Sequence, residues 1–170
     1  MEEYDIYGND WQKHGTVVHS LGIIIAPEAY TAPSNICLSG GQVVVKGTKY
    51  FSWSTADILV RSQNVPLGWR MPTIAECKVL ENYHAGGKFG ELVFGLDGIV
   101  GPNDMARYTY APSWFPEKNI LFKGKEGYYW TCDRDPNLYP YAVAINNSGL
   151  KAGCVIYSNY GLPFVLVKDL

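Results

Sequence analysis

"GWRMPTIAE", residues 68–76, is the stretch from which the fold is read. Pro72 has no backbone N–H to donate and biases Met71 toward extended geometry, so the chain arrives from a straight approach. Thr73 and Glu76 stand three apart in capping-box order, in which the hydroxyl accepts from one backbone N–H and the carboxylate reaches back to the other. A helix therefore begins at Thr73. Ile74, Cys77, Leu80 and Tyr83 form its apolar stripe, and Gly86-Gly87 is expected to end it.

Upstream, "SWSTADILVRSQNV" at 52–65 predicts a shorter helix, with Ser54 capping, Asp57 three residues on, and Ile58 and Leu59 facing inward. Earlier still, "GIIIAP" at 22–27 and "GQVVVKG" at 41–47 are short β-branched runs closed by Gly or Pro, which predicts strands. The turn-rich "PEAYTAPSNICLSGG" between them reads as loop. Downstream, residues 86–127 are long, irregular and rich in Gly, Pro and aromatics; a loop of that length is functional or tied down by its own rings.

Four strand-like segments follow: "YYWTC" at 128–132, "YAVAIN" at 141–146, "CVIYSN" at 154–159 and "FVLVKD" at 164–169. In the second, Tyr141, Val143 and Ile145 share one face, and Ala142 and Ala144 the other. The last is continuously apolar, as expected of a central strand buried on both faces. The class is α+β: two short helices packed on small twisted antiparallel sheets with long irregular loops. Residues 1–20, polar with Tyr4, Tyr7 and Trp11, read as an anchoring arm, and residues 21–170 as the domain.

Composition bounds the function. The chain has 170 residues, 47% hydrophobic and 18% charged, which is globular rather than disordered. A net charge of -2 with no basic run argues against nucleic acid. No apolar stretch approaches the roughly twenty residues of a membrane span. The acidic opening "MEEYDIYGND" does not resemble a secretory signal.

Cys37, Cys77, Cys132 and Cys154 are too scattered for a zinc site; they read as small buried side chains in a reduced compartment, with up to two disulfides as the alternative. Thirteen tyrosines and five tryptophans suit either a recognition surface or a β-rich core with hydroxyls at its rim.

The ordered set "GWRMPT-AE", a long glycine-containing insertion, "GYYWTCD" and a terminal "G-P-VLVKD" resembles bacterial C-type-lectin-like domains, above all the Fibrobacter succinogenes major paralogous domain. In those families "GWRLPT-EW" opens the second helix, "GYYWSST" begins the late strands and "G-SVRCVKD" ends the domain. The likeness covers roughly residues 50–170. It departs where the family's helix tryptophan is Cys77, where "SST" is Thr131-Cys132-Asp133, and where Arg-Cys gives way to Leu166 between valines. The resemblance implies that Trp69 is a buried plate and that Arg70 bonds to a nearby carbonyl or carboxylate rather than acting in catalysis.

No catalytic constellation emerges: there is no GxSxG, HExxH, P-loop or GxGxxG. His14, His19 and His84 are scattered, and "CDRDP" at 132–136 reads as a charge-paired turn rather than a calcium site. The calcium-dependent sugar motifs of animal lectins are absent, with "DPN" at 135–137 only a near miss. The expectation is therefore no catalytic residue, no metal and no cofactor. A sulfatase-modifying-factor-like enzyme is the remote alternative.

In lectin-like folds the late strands and their loops make the recognition face. Here that region offers Asp133, Arg134, Asp135, Asn137, Tyr139, Tyr141, Asn146, Tyr157, Asn159 and Tyr160 as ligand-binding candidates, tyrosine for stacking and asparagine for amide hydrogen bonds. "NNSG" at 146–149 and "SNYG" at 158–161 also have the composition of hairpin turns. The chain thus reads as a non-enzymatic recognition or decoration protein, either a phage virion component (head decoration, fibre or tail adhesion) or a bacterial cell-surface adhesin. The lack of an evident export signal favours the virion. Expected partners are other virion or surface proteins through the N-terminal segment, a host-surface glycan or protein, and further copies of the chain.

Overall fold

A computed structural model describes residues 14–31, 40–45, 48–62, 64–85, 94–109 and 115–170, without side chains for 83–85. These residues form an α+β fold of three α-helices and small antiparallel sheets. The first sheet has the order β1-β2-β9-β5, with β1 at Thr16–Val18, β2 at Ile23–Ile25, β9 at Val167–Asp169 and β5 at Trp69–Arg70. Strands from opposite ends of the described chain thus lie side by side, Ile23 opposite Asp169 and Ile25 opposite Val167. β3 (Gln42–Val45) and β4 (Thr48–Phe51) make a two-stranded ribbon. β6 (Gly127–Arg134), β7 (Pro140–Asn146) and β8 (Gly149–Val155) make the third sheet, in that order.

The opening motif folds as its residues dictate. Helix α2 spans Ile74–Ala85, and the capping box is complete: Glu76 N–H donates to Thr73 Oγ1 at 3.1 Å, and Thr73 N–H donates to Glu76 Oε1 at 2.9 Å. Trp69 and Arg70 precede it as β5, paired with Lys168 and Val167. Trp69, Cys77 and Leu80 are buried, while Ile74 is only half-buried. Gly86-Gly87, Tyr83's side chain, Cys37 and residues 1–13 lie outside the described residues.

Helix α1 spans Trp53–Arg61, and its N-cap is Ser52, not Ser54; the Ser52 hydroxyl accepts from Thr55 N–H at 3.3 Å. Starting the helix at Trp53 turns Leu59 and Ala56 inward but leaves Ile58 exposed. Two further expectations are corrected. Residues 16–18 form β1 on the edge of the first sheet, so that part of the expected arm belongs to the domain. The third late strand is Gly149–Val155 rather than 154–159, because the Asn146–Gly149 turn closes at once and pairing with β7 begins there.

The long 86–127 segment is not all loop. Helix α3 occupies Pro102–Tyr108, with proline at its start, Asp104 in the first turn and Arg107 in the last. It packs Met105 against Val43, Val45, Tyr50, Val100, Phe115 and Ile120 in a small second core. The main core joins the first and third sheets with α1 and α2, and Trp130, Tyr129, Tyr30, Phe51 and Phe164 are its largest fully buried side chains.

Buried polar atoms are bonded across elements, as they must be away from water. Trp130 Nε1 donates to Phe51 O at 2.6 Å, and Trp53 Nε1 donates to Thr131 O at 2.8 Å. Tyr129 donates its hydroxyl proton to Asp97 and accepts from Gly95 N–H at 3.1 Å. Gly127, in parallel bridge with Gly98, leaves no space for a side chain: a Cβ there would stand 1.8 Å from Gly95 O. Residues 164–167 of "FVLVKD" are apolar because they run through the core; the strand itself is only Val167–Asp169, interior in the first sheet but not buried on both faces, since Lys168 is half-buried and Asp169 exposed.

Candidate functional site

β6 and β7 are joined by a tight turn that Asp135 organises. Asp135 Oδ1 accepts from Asn137 N–H and Tyr139 N–H, both at 2.9 Å, while Asp135 N–H donates to Tyr139 O at 2.7 Å. This Asx geometry is what a short acidic side chain does in a turn. It places Leu138 in the left-handed region at φ 69° with its side chain 68% exposed.

Beside the turn, residues 156–160 are held by Ile156 N–H to Pro140 O at 3.2 Å and by Trp53 N–H to Ser158 O at 3.1 Å. The two segments meet in an edge-to-face pair, Tyr139 and Tyr157, with ring centroids 5.2 Å apart, 42% and 59% exposed. Tyr141, half-buried near the start of β7, has Val155 opposite it in register. Leu138, Tyr139, Val155 and Tyr157 are all exposed, and together they make an apolar, aromatic patch at one end of the third sheet.

The other candidates divide. Arg134 is exposed and stacks on Trp53 at 4.8 Å from the ring centre, which holds its charge beside the turn. Asp133 is engaged inside the fold: its Oδ2 accepts from Ile74 N–H at 2.7 Å, fixing the first turn of α2 to β6. Asn137 and Asn159 are exposed, and among the described residues their side-chain amides make no hydrogen bond. Tyr160 is half-buried against the main core. Asn146 sits at the far end of β7, where its Oδ1 accepts from Ser148 N–H at 2.8 Å, so it is not part of the patch.

The structure therefore brings together Arg134, Asp135, Asn137, Tyr139, Tyr141, Tyr157 and Asn159, and it adds Leu138, Val155 and Trp53. Leu138 could have been picked out as an apolar residue between turn formers. Trp53's role depends on which residue starts α1, and the two nearby serines leave that open in the sequence.

At the start of α2, Arg70 Nη1 and Nη2 form a bidentate pair with Glu76 at 2.8 Å each, and Nη2 reaches Asp169 at 2.9 Å. These bonds from Arg70 hold the Glu76 carboxyl below its usual range, and Glu76 in turn raises the guanidinium. The arginine is a brace between strand, helix and terminal strand.

Cys77, Cys132 and Cys154 are free thiols. Burial pushes Cys132 and Cys154 up to about 11 and Cys77 further, the reverse of what activates a thiolate. Among the described residues no group of three His, Cys, Asp or Glu could hold a metal ion, and no helix is long and apolar enough to cross a membrane.

No protein-family model, curated protein or solved structure matches the chain.

Proposed function

We propose that the chain is a non-enzymatic recognition module of C-type-lectin-like fold that binds a surface glycan at the tyrosine patch, and that it serves as a virion decoration or adhesion protein. The observation that carries this reading is the outward Tyr139–Tyr157 pair. Two edge-to-face rings offer one face and one edge to a pyranose, and the same two segments carry the exposed amides of Asn137 and Asn159, which would serve its hydroxyls.

The lectin-like assignment draws support from the order of elements: two capped helices, the second opened by "GWRMPT", then the late three-stranded sheet, then a terminal strand returning beside β2. The raised thiols support a binding role over cysteine chemistry. Free thiols also support assembly in a reducing compartment, which favours the virion over an exported adhesin.

The test is a glycan array read with and without chelator. Binding should survive chelation and fall at least tenfold, on the order of a lost hot-spot aromatic, in Tyr157→Ala and Tyr139→Ala. Binding unchanged in both variants would refute the reading.

A further inference from the structure

Arg134 stands between Asp133 and Asp135, an order that predicts a charge-paired turn. The pairing does not form. Asp133 Oδ2 accepts from Ile74 N–H, and Asp135 Oδ1 accepts from the N–H groups of Asn137 and Tyr139. Each carboxylate thus serves the backbone, and among the described residues Arg134 makes no ion pair and no hydrogen bond. It rests on a ring instead: its guanidinium carbon lies 4.8 Å from the centre of Trp53.

Trp53 is a firm support. It is buried, its Nε1 donates to Thr131 O at 2.8 Å, and its backbone N–H donates to Ser158 O at 3.1 Å. One residue therefore carries the arginine and also holds the segment that bears Tyr157 and Asn159. Across the sheet, Arg134 stands opposite Pro140 in register, and Pro140 follows Tyr139 in the chain. The guanidinium is in this way tied to the same end of the third sheet as the Tyr139–Tyr157 pair.

An exposed arginine ordinarily samples many rotamers and loses that freedom when it grips a ligand. Stacking on Trp53 removes part of the freedom beforehand. It uses the face of the guanidinium, whereas the N–H groups lie in its plane, in a fork that matches the two oxygens of a carboxylate. Asp135 offsets the arginine's charge at a distance, so the surface has no field that draws anions in. What the site offers is contact: a preset fork whose donors no protein acceptor fills among the described residues. A sugar hydroxyl meets such a fork at one point, while a carboxylate fills both prongs with charge-assisted bonds.

We propose that the glycan bound at the tyrosine patch is acidic, and that Arg134 holds the carboxylate of a hexuronic or sialic acid unit while another part of the glycan packs on Tyr139 and Tyr157. The inference rests on the glycan reading and adds a substrate class to it.

The experiment is a glycan array of hexuronate- and sialate-bearing oligosaccharides, each spotted beside its carboxyl-reduced form and beside neutral glycans, probed with the full chain. The two acidic families separate the two sources of the carboxylate. For the wild type, the acidic member of each bound pair should bind about tenfold more tightly than the reduced one, the scale of a charge-assisted pair at an exposed site. In Arg134→Met, which keeps an apolar cover over Trp53, that ratio should fall to about one, and Arg134→Lys should lose most of it, since an ammonium keeps the charge but not the fork. The ratio is read within each variant, so a variant of lower stability still reports it. Tyr157→Ala should weaken both members of a pair together.

A wild type that binds the reduced forms as tightly as the acidic ones, or that binds neutral glycans alone, would overturn the proposal. The full ratio kept in Arg134→Met or in Arg134→Lys would do the same. Binding that ignores the carboxyl group but falls in Tyr157→Ala would leave the recognition reading standing by itself, and a wild type that binds nothing on the array would sink both.

Discussion

Replacing Glu76 by glutamine tests the motif on which the fold was read. In the native chain Glu76 takes two charge-assisted bonds from Arg70 and one from Thr73 N–H, and its side chain is 14% exposed. Glutamine keeps the shape and one acceptor but removes the charge. Hydrogen bonds to charged groups contribute about 1.5–3 kcal/mol net. Arg70 keeps Asp169 and is itself partly open to water, so the lower half of that range applies, about 2 kcal/mol. For a chain of this length that corresponds to a melting temperature lower by roughly 6 °C.

The pH dependence has a definite sign. A carboxyl held below its unfolded value stabilises the fold above the ordinary glutamate range and stops doing so as pH falls through its native value. Differential scanning calorimetry of both proteins from pH 7 down to pH 3 should show the gap close below the ordinary glutamate value of 4.5. A gap that is constant across that range would mean the charge is not what matters, and a gap below 1 °C at pH 7 would mean that the brace does not hold β5 to α2.

Two further outcomes follow from the packing. Gly127→Ala places a methyl against Gly95 O, with backbone on both sides, and should destabilise the protein by about 3 kcal/mol or more in urea titration; a loss under 1 kcal/mol would show that the Gly95–Gly98 segment yields freely. Alkylation of native Cys132 and Cys154, followed by peptide mass spectrometry, should accelerate roughly tenfold per pH unit between pH 7 and 10, since both thiols titrate near 11. A plateau below pH 9 would contradict the burial that raises them, and Cys77 should label only on unfolding.

Much of the scaffold was legible because local chemistry and tertiary need coincide. Thr73, Glu76 and Pro72 demand the same helix start from the backbone alone that Arg70 and Asp133 secure from a distance. "YAVAIN" alternates because one sheet uses both its faces. Where two residues satisfy the same rule, the sequence does not choose: Ser52 and Ser54 can each cap, and only the packing of Trp53 between Thr131 and Arg134 selects Ser52. β1 is three residues long and exists because β2 offers it an edge, so no period announces it. Helix α3 reads as loop in the sequence, because its start and end signals, Pro102, Asp104 and Arg107, lie inside a stretch whose glycines and aromatics suggest loop.

The candidate face was legible in its tyrosines but not in its polar members. An aspartate or asparagine in a turn has one composition whether it serves a ligand or its own backbone. Asp133, Asp135 and Asn146 turn out to serve the backbone, while Asn137 and Asn159 leave their amides free among the described residues.

The pairing of β2 with β9 sets a schedule for how the molecule is made. Ile23 waits for Asp169, so the first sheet cannot close on the ribosome until Val167–Asp169 has left the exit tunnel. Until then β1 and β2 are a lone hairpin with an open apolar flank, and such hairpins are marginal in water. Deleting Val167–Asp169 would remove the strand that joins β2 to β5, so that change should leave newly made protein in an aggregation-prone state.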